Sequence, residues 1–128
     1  MRVASAIAFC FSAALLAACA TTATPGAANA PAPGASALLL RQAGARDAPD
    51  LATIEHTLGG ADIRRQDGAG FALTYRLDSC ALLLLFAADT HNTMRLVDAH
   101  ASPRRAGLPQ PSLEQCGQEA DQRRAASR

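Results

Sequence analysis

The chain has 128 residues, 12 basic against 11 acidic side chains and a formal net charge of +1, and every basic side chain is an arginine. That length has room for one small domain and not two. The balanced charge excludes the basic surface that holds nucleic acid, and the hydrophobic fraction of 49% is inflated by alanine near the N-terminus.

Residues 1–18 have the three parts of a secretory signal. Arg2 supplies the positive charge, residues 3–16 form an apolar stretch with Ile7, Phe9, Phe11 and Leu15, and Ala17-Ala18 is the small-residue cleavage region. The stretch is short for a transmembrane helix, which needs ~20 apolar residues. Leu16-Ala17-Ala18-Cys19 resembles the lipobox of bacterial lipoproteins. That resemblance implies export, a diacylglycerol on the Cys19 thiol and cleavage just ahead of it. Ala20 follows the cysteine where an aspartate would mark inner-membrane retention. By analogy with the sorting of such lipoproteins, the expected address is the outer membrane, on its periplasmic face.

After Cys19, residues 20–37 are Ala, Thr, Pro, Gly, Asn and Ser, with no large apolar side chain and no charge. Such a stretch buries too little surface to offset chain entropy. Residues 19–37 are therefore expected to form a disordered tether. Residues 38–128 are expected to form a single small domain with a frayed C-terminus.

Within that domain, Asp47-Ala48-Pro49-Asp50 reads as a helix start, with Asp47 as cap and Pro49 in the first turn. Leu51, Ile54 and Leu58 then recur at helical spacing, and Gly59-Gly60 ends the helix. Residues 61–66 read as a short strand, and the following turn has Asp67-Gly68 at its centre. Residues 71–77 alternate, with Phe71, Leu73, Tyr75 and Leu77 on one side and Ala72, Thr74 and Arg76 on the other. That period of two marks a half-buried strand. Residues 80–88 are apolar on both faces and read as the central strand. A polar loop leads to a further amphipathic strand over 94–101. Residues 102–111 are rich in Pro, Gly and Arg and read as irregular. Ser112 is a cap for a last short helix over 112–124, whose apolar face is Leu113, Cys116 and Ala120; Gly117 weakens it. The expected fold class is α+β in two layers: a short helix, a three- to four-stranded antiparallel sheet and a short C-terminal helix.

Cys80 and Cys116 are an even pair in an exported domain too small to rely on its apolar core, and read as a disulfide. No C-x-x-C is present to suggest redox chemistry.

Four short motifs then fall in a familiar order: Leu58-Gly59-Gly60-Ala61-Asp62, Arg64-Arg65-Gln66-Asp67-Gly68, Leu73-Thr74-Tyr75-Arg76 and Cys80-Ala81-Leu82-Leu83-Leu84-Leu85-Phe86. Over residues 50–88 the chain resembles the SmpA/OmlA (BamE-like) small outer-membrane lipoproteins of alphaproteobacteria. It departs from their pattern where Gly60 or Ala61 stands for a proline after Leu-Gly, Asp67 for the acidic residue before glycine, and Leu73 for a tryptophan. The resemblance implies helices packed on an antiparallel sheet. It also implies a non-enzymatic accessory role in the outer membrane, near the β-barrel assembly machinery.

Chemistry-bearing residues are sparse. His56, His91 and His100 lack metal-ligand spacing and read as solvated. Asp62 and Asp67 read as turn and cap residues. No nucleophile elbow, phosphate-binding loop or zinc-protease motif occurs, so neither an enzyme nor a cofactor is expected. Arg64, Arg65 and Arg76 on the first two strands form a candidate partner-binding patch, against the alternative of charges that protect a sheet edge. The expected role is a lipid-anchored scaffold or interaction module of the envelope, possessing a membrane contact through its anchor and an envelope protein partner. The alternatives are a small-ligand or glycan-binding lipoprotein and an inhibitor of an envelope enzyme.

Overall fold

The computed structural model describes residues 33–128. The signal segment, Cys19 and the expected tether up to residue 32 lie outside the described residues. Three helices and four strands follow one another: α1 Ala35–Leu40, α2 Leu51–Leu58, β1 Ile63–Asp67, β2 Gly70–Arg76, β3 Cys80–Ala88, β4 Met94–Pro103 and α3 Leu113–Ala126. The strands form one antiparallel meander in the order β1-β2-β3-β4.

The first helix departs from the expected tether. α1 occupies residues assigned to it, and Ser36 and Ala37 are fully buried along with Leu40. The reason is close helix packing. A Cβ built on Gly117 of α3 would come within 2.7 Å of the Ala37 nitrogen and 2.8 Å of its Cα. Small residues are needed on both sides of that crossing, so a composition that reads as disorder is here a packing surface. Ser36 donates to the Asp121 carboxylate at 2.5 Å, and Arg41 pairs with Glu114 at 2.5 Å. The pairing order shows that α1 runs antiparallel to α3.

α2 is capped by Asp50, not Asp47: the Asp50 carboxylate accepts from the Thr53 amide at 2.7 Å. The segment ahead of it is held extended along β4, where Leu96 donates its amide to the Pro49 carbonyl and Asp50 bridges Arg95. The helix can therefore begin only after Asp50. Ile54 and Leu58 point into the core, and Gly59 closes the helix at φ +86°.

The β1–β2 turn is centred one residue later than expected. Asp67 pairs with Gly70, leaving Gly68-Ala69 as the two-residue loop, with Gly68 at φ +57°. A single positive φ at the first loop position is the II′ pattern, which suits the twist of the strands. In β3 the burial alternates: Cys80, Leu82, Leu84 and Phe86 face the helices and are buried. β4 carries a bulge, since Leu85 pairs with Asp98 but Phe86 with Leu96, leaving Val97 unpaired.

One cluster of buried side chains joins the layers, with Leu40, Ile54 and Leu58 from the helices against Leu73, Tyr75, Leu82, Leu84, Phe86 and Leu96 from the sheet. Tyr75 is buried, and its hydroxyl donates to the Gly59 carbonyl at 3.0 Å. α3 begins at its Ser112 cap, which accepts from the Gln115 amide at 3.0 Å. Cys80 and Cys116 are disulfide-bonded, with Cα atoms 6.1 Å apart, and this joins α3 to the start of β3. Beside the bond, the Ser79 amide donates to Glu119 of α3 at 3.0 Å.

Candidate docking surface

Side chains of directly paired residues in an antiparallel sheet share a face, and successive residues alternate. The registers therefore assign every strand side chain. Arg64 pairs with Leu73, which is fully buried under the helices. Arg64 thus emerges on the helix side of the edge strand, where it pairs with Glu55 of α2 at 2.5 Å and lies 5.3 Å from the centre of the Phe71 ring. Arg65 and Arg76 emerge on the opposite face. The three arginines expected to form one patch are therefore divided between two faces, because neighbours in a strand cannot share one. Even Arg65 and Arg76 are separated by about 14 Å along and across the strands.

The face opposite the helices carries Ile63, Arg65 and Asp67 from β1, and Gly70, Ala72, Thr74 and Arg76 from β2. From β3 it carries Ala81, Leu83, Leu85 and Ala87, and from β4 Arg95, Asp98, His100 and Ser102. Among the described residues no element packs on this face. Leu83, in the middle of the central strand, remains 38% exposed. Ala81, Leu85, Ala72 and Thr74 lie beside it, so the middle of the face is shallow and mainly apolar, with His100 next to it on β4. A strand that is apolar on both sides ordinarily has both sides covered. Here, among the described residues, only the helix side is covered.

Charges border the apolar middle. Arg65 and Arg76 lie on the β1–β2 side, and neither is ion-paired among the described residues. Asp98 and His100 lie on the β4 side, where the imidazole Nε2 and the Asp98 carboxylate are 2.8 Å apart. Both side chains are more than half exposed. Comparison of the chain with protein-family models, curated proteins and solved structures gives no match in any of the three. The surface is therefore read from its own geometry alone.

Other polar groups have structural partners. Asp62 accepts both guanidinium nitrogens of Arg123, at 2.7 and 3.0 Å, and the Arg76 amide at 2.7 Å. The Arg123 hydrogen bond is the largest cause that holds the Asp62 carboxyl down to about 2. Asp89 accepts from the His91 and Thr93 amides and orders the β3–β4 loop, including Asn92 at φ +60°. Its carboxyl is held below the usual range, chiefly by the Thr93 amide. Among the described residues there is no group of three or more His, Cys, Asp and Glu placed to hold a metal ion. A depression of about 420 Å³ lies between His56 and Thr57 of α2 and Asp121, Arg124 and Ala125 of α3. Its carboxylate, Asp121, is already engaged by Ser36. Among the described residues no helix is long and apolar enough to cross a membrane.

The sequence alone reads β3 as apolar on both sides, which points to a second face that needs cover. The signal was present in Leu83 and Leu85, which stand out of phase with the buried Leu82 and Leu84.

Proposed function

We propose that the protein is a lipid-anchored module of the bacterial envelope that works by docking the uncovered face of its sheet, without turning over a substrate. Cys19 carries the diacylglycerol, the outer membrane is its address, and the stretch ahead of α1 gives the domain reach from that surface. Two acyl chains on one residue supply the firm anchoring that a single chain lacks. The role is in outer-membrane assembly or maintenance, as the resemblance to BamE-like lipoproteins implies. The element order, with helices on one side of an antiparallel sheet, agrees with that resemblance and supports the fold part of it. Similarity of fold alone leaves the role resting on the surface.

The observation that carries the reading is Leu83 on a central strand, exposed at the middle of an apolar sheet face with charge at both borders. Apolar area concentrated there is what a partner would desolvate. The test has two parts. Alkyne fatty-acid labelling in cells is expected to depend on Cys19 and to disappear in Cys19→Ala. A photocrosslinking residue at position 83 is expected to yield protein adducts in the envelope, and one at exposed Asp47, outside the sheet, is not. Unchanged labelling in Cys19→Ala removes the anchor. Absence of adducts at position 83 removes the docking surface.

A further inference from the structure

We infer that the uncovered sheet face binds a second copy of this chain, about a two-fold axis parallel to the strands. This rests on the docking reading above and names the occupant of that surface.

The argument begins with one row of residues. Arg65 pairs with Ala72, Ala72 with Leu85, and Leu85 with Asp98. The row crosses all four strands on the uncovered face. It begins with a cation on one edge, passes through two apolar residues and ends with an anion on the other edge. Edge to edge it spans about 14 Å at the usual strand spacing. The row beside it reads Ile63, Thr74, Leu83, His100, and brings the most exposed leucine of the face to its middle.

Such a row is complementary to itself in one orientation. A two-fold axis along the strands, between β2 and β3, lays β1 of one copy over β4 of the other. Arg65 then faces Asp98 of the second copy, and Asp98 faces its Arg65. Leu83, Leu85 and Ala72 meet their equivalents across the middle. The other in-plane two-fold axis, across the strands, lays β1 over β1 and brings like edges together, Arg65 toward Arg65. Like charges opposed across an interface are strongly unfavourable, so charge favours the first arrangement over a second axis that passes through this row. Isologous contacts of this kind require a self-complementary patch, and the row supplies one. A further row carries opposite charges at its ends in the reverse sense, with Asp67 on β1 and Arg95 on β4. Arg95 pairs with Asp89 at 3.2 Å and Asp98 with His100 at 2.8 Å, so each row opposes a charge that also has a partner within its own chain.

Two sheets packed face to face stand about 10 Å apart with strands offset by about 30°. That offset moves the edges by a few Å, within the reach of an arginine. Strand spacing and rise give a face of roughly 450 Å² per copy. Stable interfaces of standard size bury about 800 Å² per partner. The pairing is therefore weak in dilute solution and forms where copies are concentrated on a membrane by their anchors.

The test uses the full, anchored protein in its membrane, with the photocrosslinking residue at position 83. The expected product is an adduct at twice the protein's mass. Arg65→Glu and Asp98→Arg are each expected to lower its yield about five-fold, since each opposes like charges twice in the pair. The combined variant, with the charges exchanged, is expected to restore the yield to within about two-fold. Both positions are exposed, and the restored double variant shows that the single ones were not merely misfolded. Self-adducts unaffected by the single reversals, or not restored by the exchange, overturn the proposed pairing. Adducts only with other envelope proteins overturn the second copy while leaving the docking surface standing. No adduct of either kind overturns both.

Discussion

Gly117→Ala sets two physical effects against each other at one site. Glycine in a helix interior is about 1 kcal/mol worse than alanine, so helix propensity alone favours the substitution. The new methyl carbon, however, would stand 2.7 Å from the Ala37 nitrogen, 2.8 Å from its Cα and 3.0 Å from its Cβ. Two of those atoms are backbone of α1 and cannot turn aside. The helices must separate, and overpacking of that kind costs about 1–3 kcal/mol. The clash therefore exceeds the propensity gain, leaving a net loss of about 1 kcal/mol. For a domain of this size that corresponds to a fall of about 4–8 °C in Tm, read by far-ultraviolet circular dichroism with the disulfide intact. Adding Ala37→Gly removes only one of the three contacts and is expected to recover only part of the loss. A rise in Tm for Gly117→Ala, of the size propensity alone gives, would refute the packing of α1 against α3.

Removing the disulfide as Cys80→Ser with Cys116→Ser, across a separation of 36 residues, is expected to cost about 4 kcal/mol on the chain-entropy estimate; denaturant unfolding that shifts by less than about 1 kcal/mol would mean α3 is held without it. Tyr75 is the one tyrosine of the chain, so near-ultraviolet absorbance reads it alone. Burial raises its pKa to about 12 from 10.0. Its contribution to stability is therefore complete below pH 10.0 and is lost as the pH rises through about 12; a titration midpoint near 10.0 in the folded protein would contradict its burial. Asp62 shifts the other way, from 3.8 to about 2. Its contribution is complete above pH 3.8 and is lost as the pH falls toward about 2. The Tm difference between the native protein and Asp62→Asn should shrink over that interval, and a constant difference would contradict the Arg123 pairing.

Sequence pattern carried the sheet better than the helices, and the reason is visible in particular residues. β3 lies over 80–88 as its apolar run implied, because the Asp78-Ser79 turn and the polar 89–93 loop bound it on both sides. Phe71, Leu73 and Tyr75 alternate with Ala72 and Thr74, and the strand's burial follows that period. α1 was invisible because its buried contacts are made by Ser36 and Ala37, residue types that also fill linkers. Only the approach of Gly117, a position that looked like a weakness in α3, reveals why they are small. The Asp50 cap was misplaced because a long-range pairing with β4 decides where α2 starts. The arginine patch failed on a rule already legible in the chain: consecutive residues of a strand, Arg64 and Arg65, face opposite ways.

The attachment of α1 also fixes how tension would travel through the domain. Any pull on the chain ahead of Pro33 enters through α1, and from there through Ser36–Asp121, the Ala37–Gly117 crossing and Arg41–Glu114 into α3. From α3 the load passes to β3 through the covalent Cys80–Cys116 link. It arrives at an inner strand paired on both sides, while Arg123–Asp62 and the Gly44–Leu96 hydrogen bond carry part of it to the start of β1 and to β4. Under strain the non-covalent seam between α1 and α3 yields first. Detachment of α1 would then pass the load to the Gly44–Leu96 hydrogen bond on β4, so the α1–α3 seam stands between a pull at Pro33 and the sheet.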